Sequence, residues 1–263
     1  MLIAYIDPLT TRVVARKNQP MYTSSGIVGL DTLLDGKGFP VGYNIVVMGS
    51  PGSGKTTFGL QFLHHGCNIG ENGVYVTLDE NPDKVMANAR NMGIDLQPLI
   101  DKGVLAVVDA SPIRTVPGQV RIGGISIGKK DFSLAALIAA VTNRVHGIGA
   151  KRLVIDSLTS FFLQYPRGAE RRAAFLELLE GITPLGCTTV LLTELRMSGS
   201  DRIYQFEEYL ADGVVILRKY SKDSTVLLSL QIEKMRGVNH NVEAHPYRFV
   251  KGGIEVFPTE KVI

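Results

Sequence analysis

Tryptophan is missing from this 263-residue chain, cysteine occurs only twice, and no apolar run approaches the roughly 18 residues of a membrane span. With Cys67 in a helical stretch and Cys187 entering a strand-like run, neither a disulfide framework nor a zinc cluster is expected, and a reducing cytosol fits. The opening Met1-Leu2-Ile3-Ala4-Tyr5-Ile6 lacks a charged leader and meets Asp7-Pro8 before a signal core is complete, so the expected location is the cytoplasm, with no membrane contact. A strong charge of one sign is absent too. Lys and Arg number 28 against 25 Asp and Glu, a net +3, and the pI near 8.8 falls short of the value above about 9 that marks a nucleic-acid domain. One stretch departs from this balance: Arg114, Arg121, Lys129 and Lys130 lie within 111–130 without an intervening acid. Its ordinary reading is a solvated loop, and the alternative is a contact with an anionic polymer.

What remains is 45% apolar, enough to bury one large core without metal or disulfide. Residues 1–20 carry no strong period and read as an extension, leaving 21–263 as a single domain. Within it stands Gly49-Ser50-Pro51-Gly52-Ser53-Gly54-Lys55-Thr56, a complete G-x-x-x-x-G-K-[ST] phosphate loop. Its glycines let several main-chain N–H groups turn inward around a phosphate chain, and the helix that follows adds the positive end of its dipole. Lys55 would neutralise β- and γ-phosphate oxygens, and Thr56 would offer its hydroxyl to Mg²⁺.

The flanks fit that reading. Asn44-Ile45-Val46-Val47-Met48 suits a strand buried on both faces, and from Thr57 a helical period runs to about Cys67. Further strands are expected at 73–78, 104–108, 151–156 and 188–193. Helices are expected from a cap at Asn81 to Gly93, from Ser133 or Asp131 to about Val145, and over 168–180 with an end left open by Gly181 and Pro184. This alternation implies an α/β fold with a mostly parallel, doubly wound sheet whose ligand sits at the carboxyl ends of the strands. The last third, 214–257, reads instead as strands joined by turns, an antiparallel hairpin extension.

Four acids fall at predicted strand ends. Asp156, after Leu153-Val154-Ile155, suits the cation opposite Thr56. Asp79 and Glu80 close another strand; neighbours on a strand face opposite ways, so at most one reaches an attacking water, and Glu80 is the favoured base. Glu194 ends the strand after Asp156 and reads either as a γ-phosphate sensor or as a surface acid.

Together with Val76-Thr77-Leu78-Asp79-Glu80, the run Ile155-Asp156-Ser157-Leu158-Thr159-Ser160, the pair Thr193-Glu194, the stretch from Glu207 to Arg218, and Lys234-Met235-Arg236-Gly237 followed by His240, these motifs resemble the single-domain KaiC-like ATPases of the RecA superfamily, the archaeal type above all. The resemblance covers about residues 23 to 258. It implies a RecA-like core, ATP and Mg²⁺ as ligands, and a homo-oligomeric ring, commonly hexameric, with ATP between subunits. It also implies a nucleotide-binding set of Gly49 to Thr57, Lys234, Met235, Arg236 and His240, in which Lys234 and Arg236 reach the γ-phosphate held by a neighbour. Glu207-Glu208, where the clock protein's second domain carries a phosphorylated Ser/Thr pair, argues against autokinase activity. Glu194, where recombinases carry Gln, argues against a recombinase. An ATP-switched nucleic-acid-binding protein touching phosphates through 111–130 and through the 196–206 segment with Arg196 and Arg202 is the less favoured alternative, since those loops lack the interleaved aromatic residues of a stacking platform. A nucleotide-dependent signalling scaffold is a further one.

Overall fold

Aliphatic and β-branched runs with few polar interruptions build the centre of the molecule, since each can be buried on both faces. In the computed structural model, which describes residues 22–110, 133–165, 167–198, 201–222 and 225–262 and the short strands Tyr5–Ile6, Val13–Val14, Arg121–Ile122 and Ile125–Ser126, these runs form one sheet. Its strands are β1 (Asn44–Gly49), β2 (Gly73–Thr77), β3 (Leu105–Asp109), β4 (Arg152–Asp156), β5 (Thr188–Glu194), β6 (Gly213–Lys222), β7 (Thr225–Met235), β8 (Ala244–Val250) and β9 (Gly253–Val256). Across the sheet they run β9-β8-β7-β6-β1-β5-β4-β2-β3. From β6 to β3 all neighbours are parallel, while β7, β8 and β9 continue as antiparallel hairpins. This is the α/β, RecA-like arrangement expected from the motif order, with its antiparallel C-terminal extension.

Two apolar layers cover the sheet, one on each face. Ile45, Val47, Tyr75, Val154 and Leu192 pack with α1 (Lys55–Asn68) and α2 (Pro82–Asn91). Val46, Met48, Val76 and Ile155 pack on the other side with α3 (Leu134–Ile148) and α5 (Gly168–Ile182). Strand alternation does the sorting: odd and even residues of one strand feed different cores. The short helices α4 (Leu158–Phe162) and α6 (Phe206–Leu210) follow β4 and precede β6. No helix among the described residues is long and apolar enough to cross a membrane.

Local signals hold at most ends. Asn81 accepts the N–H of Asp83 with Pro82 in the first turn, and Ser133 accepts that of Ala136. The helix over 168–180 is longer than its glycine suggested. It continues through Gly181 to Ile182, because a Cβ at Gly181 would lie 2.8 Å from Ile138 of α3, so this glycine serves a close helix crossing rather than a stop. Pro184 sits in the 3₁₀ turn Thr183–Leu185 that follows. The extension before residue 21, apart from its two short strands, and Arg114, Lys129 and Lys130 of the basic stretch lie outside the described residues, as does the side chain of Arg121.

Candidate nucleotide site

Gly49 to Thr56 links the carboxyl end of β1 to the first turn of α1, at the end of the sheet where strand order permits a ligand crevice. Gly52 and Gly54 adopt φ of 75° and 88°, a left-handed conformation that other residues resist. Gly49 is held by proximity instead: a Cβ there would lie 2.2 Å from the Ser53 hydroxyl oxygen and 3.0 Å from the Leu217 carbonyl. Behind the loop, the Tyr247 hydroxyl donates to the Ser53 carbonyl, so β8 buttresses the turn. Lys55 folds back, its Nζ donating to the carbonyls of Gly49 at 2.9 Å and Ser50 at 3.2 Å. Burial lowers its pKa, while the charges of Asp156 and Glu194 act in the opposite direction.

Thr56 and Asp156, 100 residues apart in sequence, meet: the Thr56 hydroxyl donates to Asp156 Oδ2 at 2.7 Å. The register explains the encounter. Thr77 of β2 pairs with Asp156 of β4, which sets Tyr75 and Asp156 on the face covered by α1. Tyr75 donates to the same Oδ2 at 3.0 Å. Burial raises the Asp156 pKa, opposed by the hydrogen bonds from Thr56 and Tyr75 and reinforced by the nearby charge of Asp79. A hydroxyl and a carboxylate this close are hard oxygen donors of the kind Mg²⁺ takes, and a cation would offset the cost of ionising Asp156 there. The residues fit the ion.

Asp79 and Glu80 part ways. Asp79 accepts from the Ser157 hydroxyl at 2.7 Å and from the Ser160 hydroxyl, which fastens it to the turn after β4. Glu80 is partly exposed, and its carboxylate meets Lys84 at 3.2 Å. The Thr77 hydroxyl pins its main chain, donating to the Glu80 carbonyl at 2.7 Å and accepting its N–H at 3.1 Å. Thr56, Thr57 and Glu80 open onto one small cavity of about 190 Å³ that Asn88 and Met92 also line. Glu194 is exposed at the end of β5, its N–H given to the Thr159 hydroxyl.

The Lys234-Met235-Arg236 element lies elsewhere. Met235 and Ile45 both pair with Gly213, whereas Gly49 pairs with Leu217, so this element ends β7 level with the start of β1. The phosphate loop leaves β1 four residues on, roughly 13 Å along the strand. Two of its side chains are engaged within the chain itself. Lys234 Nζ donates to the carbonyls of Glu208 at 2.8 Å and Ala211 at 2.7 Å, closing the end of α6 of its own chain. Met235 is 3% exposed, packed in the core, so only its main chain is left to face a ligand. Arg236 is half-exposed, with Nη2 on the Tyr209 carbonyl at 2.9 Å and Nη1 3.5 Å from Asp212. His240 Nδ1 lies 2.9 Å from the Val238 carbonyl.

Sequence reasoning missed Tyr75, Ser157, Ser160 and Tyr247. Tyr75 and Tyr247 read as ordinary strand residues, and Ser157 and Ser160 stood in a motif of the resemblance without a role of their own; the one hint for the tyrosines was a hydroxyl placed in an apolar strand, where it needs a partner.

The model of the KaiC ATPase family matches residues 23–261. The chain is 37% identical over 234 residues to the circadian clock oscillator protein KaiC of Synechococcus elongatus, covering 88% of the chain and 43% of that protein. To its counterpart in Prochlorococcus marinus subsp. pastoris it is 35% identical over 243 residues, 92% of the chain and 46% of that protein. The chain thus spans less than half the length of either relative. Among solved structures, a KaiC-like protein of the hyperthermophilic archaeon Pyrococcus horikoshii superposes with a TM-score of 0.76 at 31% identity, covering 91% of this chain and 100% of that one.

Proposed function

The chain belongs to the KaiC ATPase family, and on that footing we propose that it binds and hydrolyses ATP with Mg²⁺, in the cytoplasm, as a subunit of a hexamer-type ring. The observation that carries this reading is the 2.7 Å contact between Thr56 and Asp156 at the mouth of the phosphate loop, which unites the two halves of a metal-nucleotide site from distant parts of the chain. In it, the N–H groups of the Gly49–Thr56 loop and the α1 terminus bind the phosphates, and Lys55 leaves the loop carbonyls to meet the β- and γ-oxygens. Bound Mg²⁺ supplies charge neutralisation at the β- and γ-phosphates, held by Thr56 and Asp156.

Glu80, free to exchange its exposed contact with Lys84, orients and deprotonates the attacking water, while Asp79 is committed to the two serines. Arg236 and Lys234 act on the neighbour's γ-phosphate, Lys234 leaving the α6 carbonyls as Lys55 leaves those of the loop. The register supports action in trans, since Arg236 lies at the far end of the sheet from its own loop. Phosphate release from purified protein tests the proposal. Wild type should turn over only with Mg²⁺, Lys55→Ala should lose ATP binding, and Glu80→Gln should retain binding with turnover reduced about 10²-fold or more. Normal turnover in Glu80→Gln would remove that residue from its role.

A further inference from the structure

Asp156 is unusual among the site's acids in receiving two donors on one oxygen. Thr56 approaches Oδ2 from α1 and Tyr75 approaches the same atom from β2, at 2.7 and 3.0 Å. One hydrogen bond leaves a carboxylate free to turn about its Cβ–Cγ bond; a second, from a different element, fixes its plane. Both bonds end on Oδ2, so Oδ1 takes part in neither. We propose that Tyr75 is a positioning residue of the metal site, its hydroxyl holding the Asp156 carboxylate in the orientation that presents an oxygen to the divalent cation.

Three features beyond the distance carry this. Tyr75 is 1% exposed, and a buried hydroxyl is costly unless it is paired, so a core position needing only volume is filled as well by Phe. Its partner among the described hydrogen bonds is Asp156. The surroundings also favour a donor there: the charge of Asp79 opposes that of Asp156, and a hydrogen bond to the carboxylate offsets part of that repulsion. The main chain of β2 is fixed between β4 and β3, so the tyrosine ring reaches Asp156 from a rigid base.

This inference rests on the Mg·ATP reading above, and the test separates the two. ATP binding is measured by calorimetry on the full chain as a function of Mg²⁺, and again in chelator, for wild type and Tyr75→Phe. Mn²⁺ bound with ATP is followed in parallel by electron paramagnetic resonance. The Phe variant keeps the buried ring, and Asp156 keeps its bond from Thr56, so a melting temperature near that of wild type is expected. The predicted result is a Mg²⁺ half-saturation raised about ten- to a hundredfold, the worth of one hydrogen bond to a charged group, with metal-free ATP affinity unchanged. In an Asp156→Asn background the same change should have no further effect on the Mg²⁺ half-saturation. Equal Mg²⁺ half-saturation in wild type and variant, or a loss that is the same with and without metal, would overturn the role of Tyr75 while leaving the ATPase reading intact. Wild type that binds no ATP with Mg²⁺ would bring down that reading, and this inference with it.

Discussion

Glu207 is a buried ionisable side chain one of whose carboxylate oxygens has no hydrogen-bond partner among the described residues. It is 1% exposed, and its described hydrogen bond is a 3.4 Å contact from Gln205 Nε2. Adjacent Glu208 fares better, meeting Arg202 at 3.0 Å and accepting the Gln205 N–H at 2.8 Å. Burial pushes the Glu207 pKa up, against a smaller pull from Arg196. The folded state therefore holds the Glu207 proton to higher pH than the unfolded chain does, and stability falls as pH rises from the ordinary carboxylate value through the folded one. Glu207→Gln keeps the shape and removes the charge. Its melting temperature should exceed that of wild type at about pH 7, and the difference should shrink by about pH 4, where wild type holds the proton in both states; a difference independent of pH would contradict the assignment. Such liabilities are hidden from sequence reading because two adjacent glutamates look like a solvated pair. The loop glycines, Lys55, Thr56 and Asp156 were legible for the opposite reason: a main-chain cradle and hard oxygen donors admit few residue types, and these leave a spelled pattern. Tyr75 left none, since tyrosine in a strand is ordinary.

Among elements, α1 and β4 are joined at both ends by different chemistry. Thr56 and Asp156 meet at the functional end, and Arg152 closes the other. Arg152 is fully buried; its Nε and Nη2 meet Glu71 at 2.7 and 2.6 Å, its Nη1 donates to the Phe62 carbonyl, and its guanidinium stacks 4.4 Å over the Phe62 ring. Gly66 of α1 makes room, for a Cβ there would lie 2.2 Å from Arg152 Nε. Arg152→Ala should cost about 2 to 3 kcal/mol, read as a lowered urea midpoint, because it leaves Glu71 unpaired and opens a cavity. The folded variant should still bind Mg·ATP as wild type does, since the change lies at the far end of β4. A selective loss of Mg·ATP binding without loss of stability would show that the two ends are coupled. Strand and helix order was readable from periodicity and caps. The continuation of α5 through Gly181 was not, since it depends on Ile138, a residue contributed by another helix. Nor was the grip of Lys234 on the carbonyls of α6, which only the folded chain brings together.

Considered whole, the chain carries its loop and its Arg236 at opposite ends of one sheet. Mixing tests the proposed division of labour. Lys55→Ala and Arg236→Ala proteins, each inactive alone, should regain about a quarter of wild-type turnover when co-assembled in equal amounts, because a head-to-tail ring then pairs an intact loop with an intact finger at one junction in four. No recovery in verified mixed assemblies would leave the trans role unsupported. On the proposed reading the working unit is a seam, not a polypeptide. Dilution below the assembly threshold would then silence hydrolysis without touching any pocket, and a single copy lacking both loop lysine and arginine would disable two neighbouring junctions, one through each loss.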